Sequence, residues 1–429
     1  MSFFRAFLVS AFRRYWLGEL VGGLGSQVLE VSIVWYLASR GGAREVGWFL
    51  FWSQLPVALG GPIGGELLRR MGARAGMVLE LGVRALGFGA FGLCLLRGFG
   101  AAWVYDAVGA GTALLGLVPA AGGPSLWPAL VSSGELAGAA QGEQIGWNAA
   151  ALVGPVLAGG LLAARVPLGW IALGGAALFL AAAVNLGTLD LVQGDETQNA
   201  AGQGAALAWR QALLAIAGSE ALWLPTALFW LLNLVNAAIG TFLPLIVRDA
   251  WHAGAASYGL WVAASAAGGL IGGLTLAGSG EPCLGRVLRW ELGASALTLL
   301  LVPGLRWPIL AIAGTALPSW IGAATATWVL RLRLAATDEP ERPLVFAYIR
   351  TALWTASPLG SLLAGLLWRR AWGPALVAGG AGLMVLGCLG GLLALRGLRR
   401  RSGTAGWTAQ GRRLPGIEIP ATRNYGGAS

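Results

Sequence analysis

Glu30 is the residue of this chain best placed to do chemistry. It stands near the middle of an apolar stretch, residues 15–38, where a carboxylate costs several kcal/mol unless it is paired or wet. At 100° per residue, Glu19, Gly22, Gly23, Ser26 and Glu30 fall within about a third of a helix circumference, forming one small polar stripe. Such a stripe predicts a face turned to a bundle interior. A carboxyl in a partly dehydrated cavity can take up a proton and release it in competition with a ligand. The plainer reading, a carboxyl satisfied by a neighbouring helix, stays open beside it. Glu80 and Arg84 are four apart, the spacing of an ion pair along one helix face, and predict a structural pair. Asp106 lies near the start of another apolar stretch, where a carboxylate suits a helix N-terminus. Arg350 lies near the start of a further one and binds either an anionic group or lipid headgroups, with headgroups the favoured reading.

Other chemistries are soon excluded. His252, the single histidine, lies three residues after Asp249 and five before Ser257, but no nucleophile turn or oxyanion-hole pattern accompanies it, so it predicts a loop residue. No enzyme activity is expected. Cys94, Cys283 and Cys388 stand in separate segments and read as small apolar residues; no disulfide, metal site or cofactor is expected. The chain has no lysine, hence no P-loop of the Gly-Lys-Ser/Thr kind, which leaves an ion gradient as the energy source. Gln27, Trp147, Asn148, Asn233, Asn236, Trp320 and Thr325 are candidates to line a cavity for an amphipathic small molecule. Asn233 and Asn236 share a helix face, and buried amides must either cross-link helices or line water. Trp16, Trp103, Trp170, Trp223, Trp251, Trp307 and Trp368 fall near the ends of apolar stretches, as an interfacial belt requires.

The elements that must position these residues are membrane helices. The 429 residues are 56% hydrophobic and 11% charged, against roughly a quarter charged in soluble proteins. Apolar stretches of about 20 residues, the length that spans a bilayer, lie near 15–38, 45–68, 76–96, 101–122, 144–164, 168–189, 222–247, 257–278, 287–304, 307–329, 345–368 and 374–396. The string GGPIGGELL, Gly60 to Leu68, returns as GGLIGGLTL, Gly268 to Leu276, matching at every glycine, the isoleucine and the last leucine. It predicts two copies of one bundle, with glycines of the second and eighth helices packing where the halves meet. Pro155 and Pro358 sit beside glycines in mid-stretch and predict kinks. The expected domains are an N-terminal six-helix bundle (1–189), a cytoplasmic linker (190–221), a C-terminal six-helix bundle (222–396) and a disordered cytoplasmic tail (397–429). The arginines concentrate in segments on the side of the N-terminus, which places both termini in the cytoplasm. Dispersed among short loops, they explain the net charge of +10 as a topology signal, and no nucleic-acid partner is expected.

Several tracts carry a resemblance. FRRYWLGELVGGLGSQ (Phe12–Gln27), GGPIGGELLRRMGAR (Gly60–Arg74), PSLWPALVSSGELAGAAQ (Pro124–Gln141) and GPVLAGGLLA (Gly154–Ala163) resemble the major facilitator superfamily, and more narrowly its twelve-helix efflux subgroup of macrolide pumps and enterobactin exporters. YGLWVAASAAGGLIGG (Tyr258–Gly273) and SPLGSLLAGLL (Ser357–Leu367) are similar to that subgroup's eighth and eleventh helices. The resemblance implies an all-α integral membrane fold of twelve helices in two pseudo-symmetric bundles, with the first helix bordering a central cavity. It also implies a gating loop between the second and third helices. There Gly65, Arg70, Gly72 and Arg74 match the family's pattern, while Arg69 stands where the family has an aspartate that latches the cytoplasmic interface. Either another acid such as Glu66 or Glu135 substitutes, or the conformational equilibrium is set differently, or Arg69 and Arg70 merely anchor the helix end.

Taken together, these features predict an inner-membrane, monomeric secondary transporter, not an enzyme, that exports small amphipathic molecules, drug-like or siderophore, by proton antiport through Glu30. Its partners are the substrate and the bilayer. An importer or lipid flippase on the same fold, and a membrane interaction protein without transport, remain as alternatives.

Overall fold

The computed structural model describes residues 6–59, 67–68, 70–116, 118–189, 214, 216–276, 283–337, 342–368 and 373–401. Among them there are helices and short connections, with no strand. We number the helices α1 (Ser10–Arg40), α2 (Ala43–Leu59), α3 (Ala73–Leu96), α4 (Ala102–Ala113, resuming as Val118–Leu130), α5 (Leu136–Ala163) and α6 (Leu168–Gly187). The second half holds α7 (Glu220–Leu245), α8 (Ala255–Thr275), α9 (Leu284–Thr298, with a last turn at Leu301–Gly304), α10 (Pro308–Ala335), α11 (Arg342–Leu367) and α12 (Gly373–Arg401). Nine described helices are long and apolar enough to cross a membrane.

The helices outrun several of the apolar stretches. Residues 123–143, expected as a connection, are almost wholly helical, because Ser132 and Glu135 form a capping box that starts α5 eight residues early. The Ser132 backbone N–H and hydroxyl both donate to the Glu135 carboxylate, at 3.2 and 2.8 Å, so Glu135 is engaged at a helix start. Gly72, at φ 78°, turns the chain into α3, a backbone conformation that side chains with a Cβ rarely adopt. At the end of α7, beyond Pro244, the last turn widens to a π-helix over Ile246–Ala250. Pro155 and Pro358 sit inside α5 and α11, as placed from sequence.

Packing repeats between the halves. In the first, α1 lies against α5 and α6, α3 against α4 and α6, and α2 against α4. In the second, α7 lies against α11 and α12, α9 against α10 and α12, and α8 against α10. Across the halves α2 meets α11 and α5 meets α8. Glycine makes the closest of these approaches. The duplicated string behaves differently from expectation: in its second copy, a Cβ on Gly268 or Gly272 would strike the backbone of Ala316 or Trp320 on α10. These glycines therefore tighten the C-terminal half internally. The first copy up to Glu66, the expected linker from residue 190 to 213 and the tail beyond residue 401 lie outside the described residues.

Candidate functional site

The site is a cleft between the two halves, closed at one end. We call the end where α1 begins and α12 finishes the near end, and the opposite one the far end. At the far end the halves touch backbone to backbone. A Cβ on Gly47 of α2 would lie 2.7 Å from both the Gly365 Cα and the Ser361 carbonyl oxygen of α11. On the other side, Gly159 of α5 abuts the Ala255 carbonyl, and Gly259 of α8 abuts the Pro155 carbonyl. Trp35 of α1 stacks on Tyr258 of α8 with ring centroids 5.8 Å apart. Arg248, paired with Asp249 at 2.6 and 2.9 Å, donates to the Ala38 carbonyl at the end of α1.

Toward the near end the same helices part. Along the α11 stripe, Ala347 and Arg350 are exposed, Trp354 is half-buried, and Pro358 and Ser361 are buried. On α5, Gln144 is exposed, Asn148 half-buried, Pro155 and Gly159 buried. On α8 the order reverses with the chain direction, from buried Ala255 and Gly259 through half-buried Val262 and Ala266 to exposed Gly273. Residues on one face of a helix recur every three or four positions, so on each of the three helices one face is exposed toward the near end and buried toward the far end among the described residues.

Glu30 stands at the inner limit of that exposure. In the run Val28 to Val34 it alone is exposed. Ser26 and Gln27, one turn nearer, are partly exposed, whereas Ile33 and Val34, one turn farther, are buried. The exposure that runs past Ser26 and Gln27 thus ends at Glu30, with a buried turn beyond it. Glu30 interacts electrostatically with Arg84 in its own half and with Tyr258 in the other. Arg84 pairs with buried Glu80, donates to the Ser26 hydroxyl at 2.9 Å, and lies 5.6 Å over the Phe179 ring. The Glu80 and Arg84 pair thus ties α3 to α1 and α6.

The other sequence candidates divide. Gln27 packs its Cβ against Gly154 of α5. Trp147 is 57% exposed, and Gln144 donates to Asn148 at 3.1 Å. Asn236 is exposed and Asn233 half-buried. Val235 lies against Gly380 of α12, so Asn233, two residues earlier, is on roughly the opposite side of α7. Trp320 and Thr325 bond to other helices of the C-terminal half. The Trp320 indole donates to Thr275 of α8 at 2.9 Å, and Thr325 is wholly buried, donating to Glu291 of α9. Replacing Thr325 by Val should therefore act on stability, costing about 1–3 kcal/mol by stranding a buried carboxyl. Thermal unfolding of the detergent-solubilised protein reads this, and an unchanged midpoint would refute it.

Of the gating-loop residues, Gly65 and Arg69 lie outside the described residues. Gly72 starts α3, Arg70 is described next to it, and Arg74 donates to the Leu189 carbonyl at 2.8 Å, bracing α3 against the end of α6. His252 is an exposed loop residue at φ 51°. Among the described residues no cluster of metal-ligating side chains occurs. Asp106 lines a cavity of about 250 Å³ at the far end with Leu37, Arg44, Glu45, Trp48 and Ala102.

Sequence reasoning missed Glu143 and Glu291. The Glu143 carboxylate accepts from Tyr15 at 2.8 Å and from the Trp127 indole at 3.1 Å. Hydropathy begins the apolar stretch at residue 144, beyond the start of α5 at Leu136, and leaves Glu143 outside it. Glu291 lies within a stretch that was drawn, and the cost of an intramembrane carboxyl was signal enough to find it.

The outer contacts suggest one direct test. Arg248→Ala removes the charged donor to Ala38 and should speed maleimide labelling of a cysteine at position 35 about threefold, since part of such a bond's worth is screened at a half-exposed site. Unchanged labelling would mean that Arg248 does not hold the far end.

These features define a multi-pass membrane protein of twelve helices in two pseudo-symmetric six-helix bundles, the fold of the major facilitator transporters. By sequence, no family model matches the chain and no curated protein matches it. By structure it is similar to the nucleoside transporter NupG at TM-score 0.70 and 12% identity, over 90% of this chain and 99% of that one. It is also similar to a bacterial homologue of the iron transporter ferroportin in its inward-facing state, at 0.68 and 18% over 90% and 98%. A third likeness is to the peptide transporter POT, at 0.67 and 14% over 91% and 95%.

Proposed function

We propose that this chain is a secondary transporter that exports small amphipathic molecules by alternating access, exchanging them for protons at Glu30. The carrying observation is the solitary exposure of Glu30 at the blind end of the cleft. With the near end in the cytoplasm, as the arginine distribution favours, the conformation described here is open inward. A substrate arriving from the cytoplasm displaces the Glu30 proton inward. The halves then rock about α2, α5, α8 and α11, and external protons displace the substrate outward. Gln27, Trp147, Asn148, Asn233 and Asn236 would furnish the polar and aromatic walls, while residues 1–189 and 222–396 act as the two rigid bodies. The protein would work as a monomer in the inner membrane, needing no cofactor.

Inside-out vesicles with an acidic lumen test this reading. They should accumulate an amphipathic fluorescent dye while the gradient lasts and discharge it when a protonophore is added. Dye movement independent of the gradient, or accumulation only under the reverse gradient, would overturn proton-coupled export.

A further inference from the structure

The C-terminal wall of the cleft carries a cation that the proton-exchange reading leaves unused. Arg350 of α11 is exposed although it lies eight residues inside the helix. Its guanidinium carbon sits 4.9 Å from the centroid of the Trp354 ring, one turn farther along. Helical phase fixes where this pair faces. Positions 350, 354, 361 and 365 form one stripe at successive spacings of four, seven and four, and Ser361 and Gly365 are the residues that touch α2 of the other half. Arg350 and Trp354 therefore share the cleft-facing stripe, at a level where the halves have separated. A lipid-facing position would require the opposite side of α11.

No carboxylate pairs with Arg350 among the described residues, where the ion pairs are those of Arg84 and Arg248. Ring contact offsets only part of a guanidinium's cost at membrane depth. The planar fork keeps its donors free for two oxygens of one carboxylate or phosphate, and the adjacent indole offers an apolar platform. Close by, the Trp230 indole donates to the Thr355 hydroxyl at 3.2 Å, fixing α7 against α11 beneath the pair. On the facing half Glu19, Glu30 and Glu80 each interact with one arginine, Arg84, while Glu143 accepts from Tyr15 and Trp127. The two walls thus present exposed Glu30 on one side and exposed Arg350 on the other, which orients a ligand with an anionic end.

We propose that Arg350 and Trp354 form an anion-binding subsite of the cleft that takes a soluble organic anion, its carboxylate or phosphate on the guanidinium and its apolar body against the indole. This deepens the export reading by naming the substrate class. Lipid phosphate shares the anionic chemistry but would have to reach Arg350 from the opposite face of the helix.

The test is equilibrium binding without a gradient, so it stands or falls apart from proton coupling. Purified full-length protein in nanodiscs of phosphatidylcholine is titrated with dansylglycine and with neutral dansylamide, read by tryptophan-to-dansyl energy transfer. Wild type should bind the anion about tenfold more tightly, the scale of one charge-assisted contact. Arg350→Gln should abolish that preference, and Arg350→Lys should retain part of it. Size-exclusion profiles check folding, and Trp354→Leu, which keeps the cation, should weaken both probes about equally. Equal affinity for the two probes in wild type, or an unchanged preference in Arg350→Gln, overturns the subsite. So does a preference lost in wild type when phosphatidylglycerol replaces part of the nanodisc lipid, because Arg350 would then be a headgroup anchor.

Discussion

Vesicles carrying Glu30→Gln are expected to accumulate no more dye under an acid-inside gradient than protein-free vesicles, while the variant remains in the membrane at wild-type amount. Glutamine keeps the size and the hydrogen-bonding oxygen of a protonated glutamate but cannot lose a proton. Exchange of dye for dye needs no net proton movement, so it should continue. The contrast separates loss of coupling from loss of the cavity. The placement of Glu30, exposed between buried Leu29 and Val31, makes the effect large, because among the described residues of α1 it is the one exposed carboxylate. Normal gradient-driven accumulation in this variant would remove Glu30 from the mechanism.

Gly47→Val should be nearly as damaging, for a steric reason. The atoms around a Cβ at this position are the Gly365 Cα and the Ser361 carbonyl oxygen, both backbone and both 2.7 Å away. No side chain can rotate aside, so α2 and α11 must separate at the far end. The far-end contacts between α5 and α8 would be loosened with them. We expect transport to fall by at least tenfold, a cost of 1.4 kcal/mol or more on one conformational state. A cysteine at position 361 should become accessible to an impermeant maleimide from the far side. Gly47→Ala should give an intermediate effect. Wild-type transport and unchanged labelling in Gly47→Val would show that the far-end contact is not part of the cycle.

Different parts of this protein were legible to different degrees. Twelve apolar stretches at bilayer length mark the helices, since spanning hydrocarbon leaves few alternatives to a helix with its backbone bonds made internally. The lengths were less legible. The capping box of Ser132 and Glu135 starts α5 inside a segment that hydropathy had assigned to a connection, because caps act through hydrogen bonds and not through apolarity. Glycine patterns were legible as close-packing signals but not as partners. Gly268 and Gly272 read as an inter-bundle surface, yet they seat α8 on α10, while Gly47, Gly159, Gly259 and Gly365 make the contacts between halves. Small residues say that something approaches closely, and a sequence contains no statement of what.

The polar residues show the same division. Glu30, the amides and the tryptophans could all be named from types and spacing. Thr325 was grouped with cavity residues and proves to be buried against Glu291, and Trp320 holds Thr275. Periodicity tells which residues share a face, but one face meets water, lipid or another helix according to where its neighbours lie. By itself, the sequence determined that this is an all-helical membrane protein with an internal duplication, with few ionisable residues inside its apolar stretches. Only the tertiary structure decided which glycines join the halves at the far end, and that, among the described residues, the faces of α5, α8 and α11 toward the near end are exposed together with Glu30 and Arg350. Those are properties of contacts between segments far apart in the chain, where hydrophobic pattern carries no information about partner or distance.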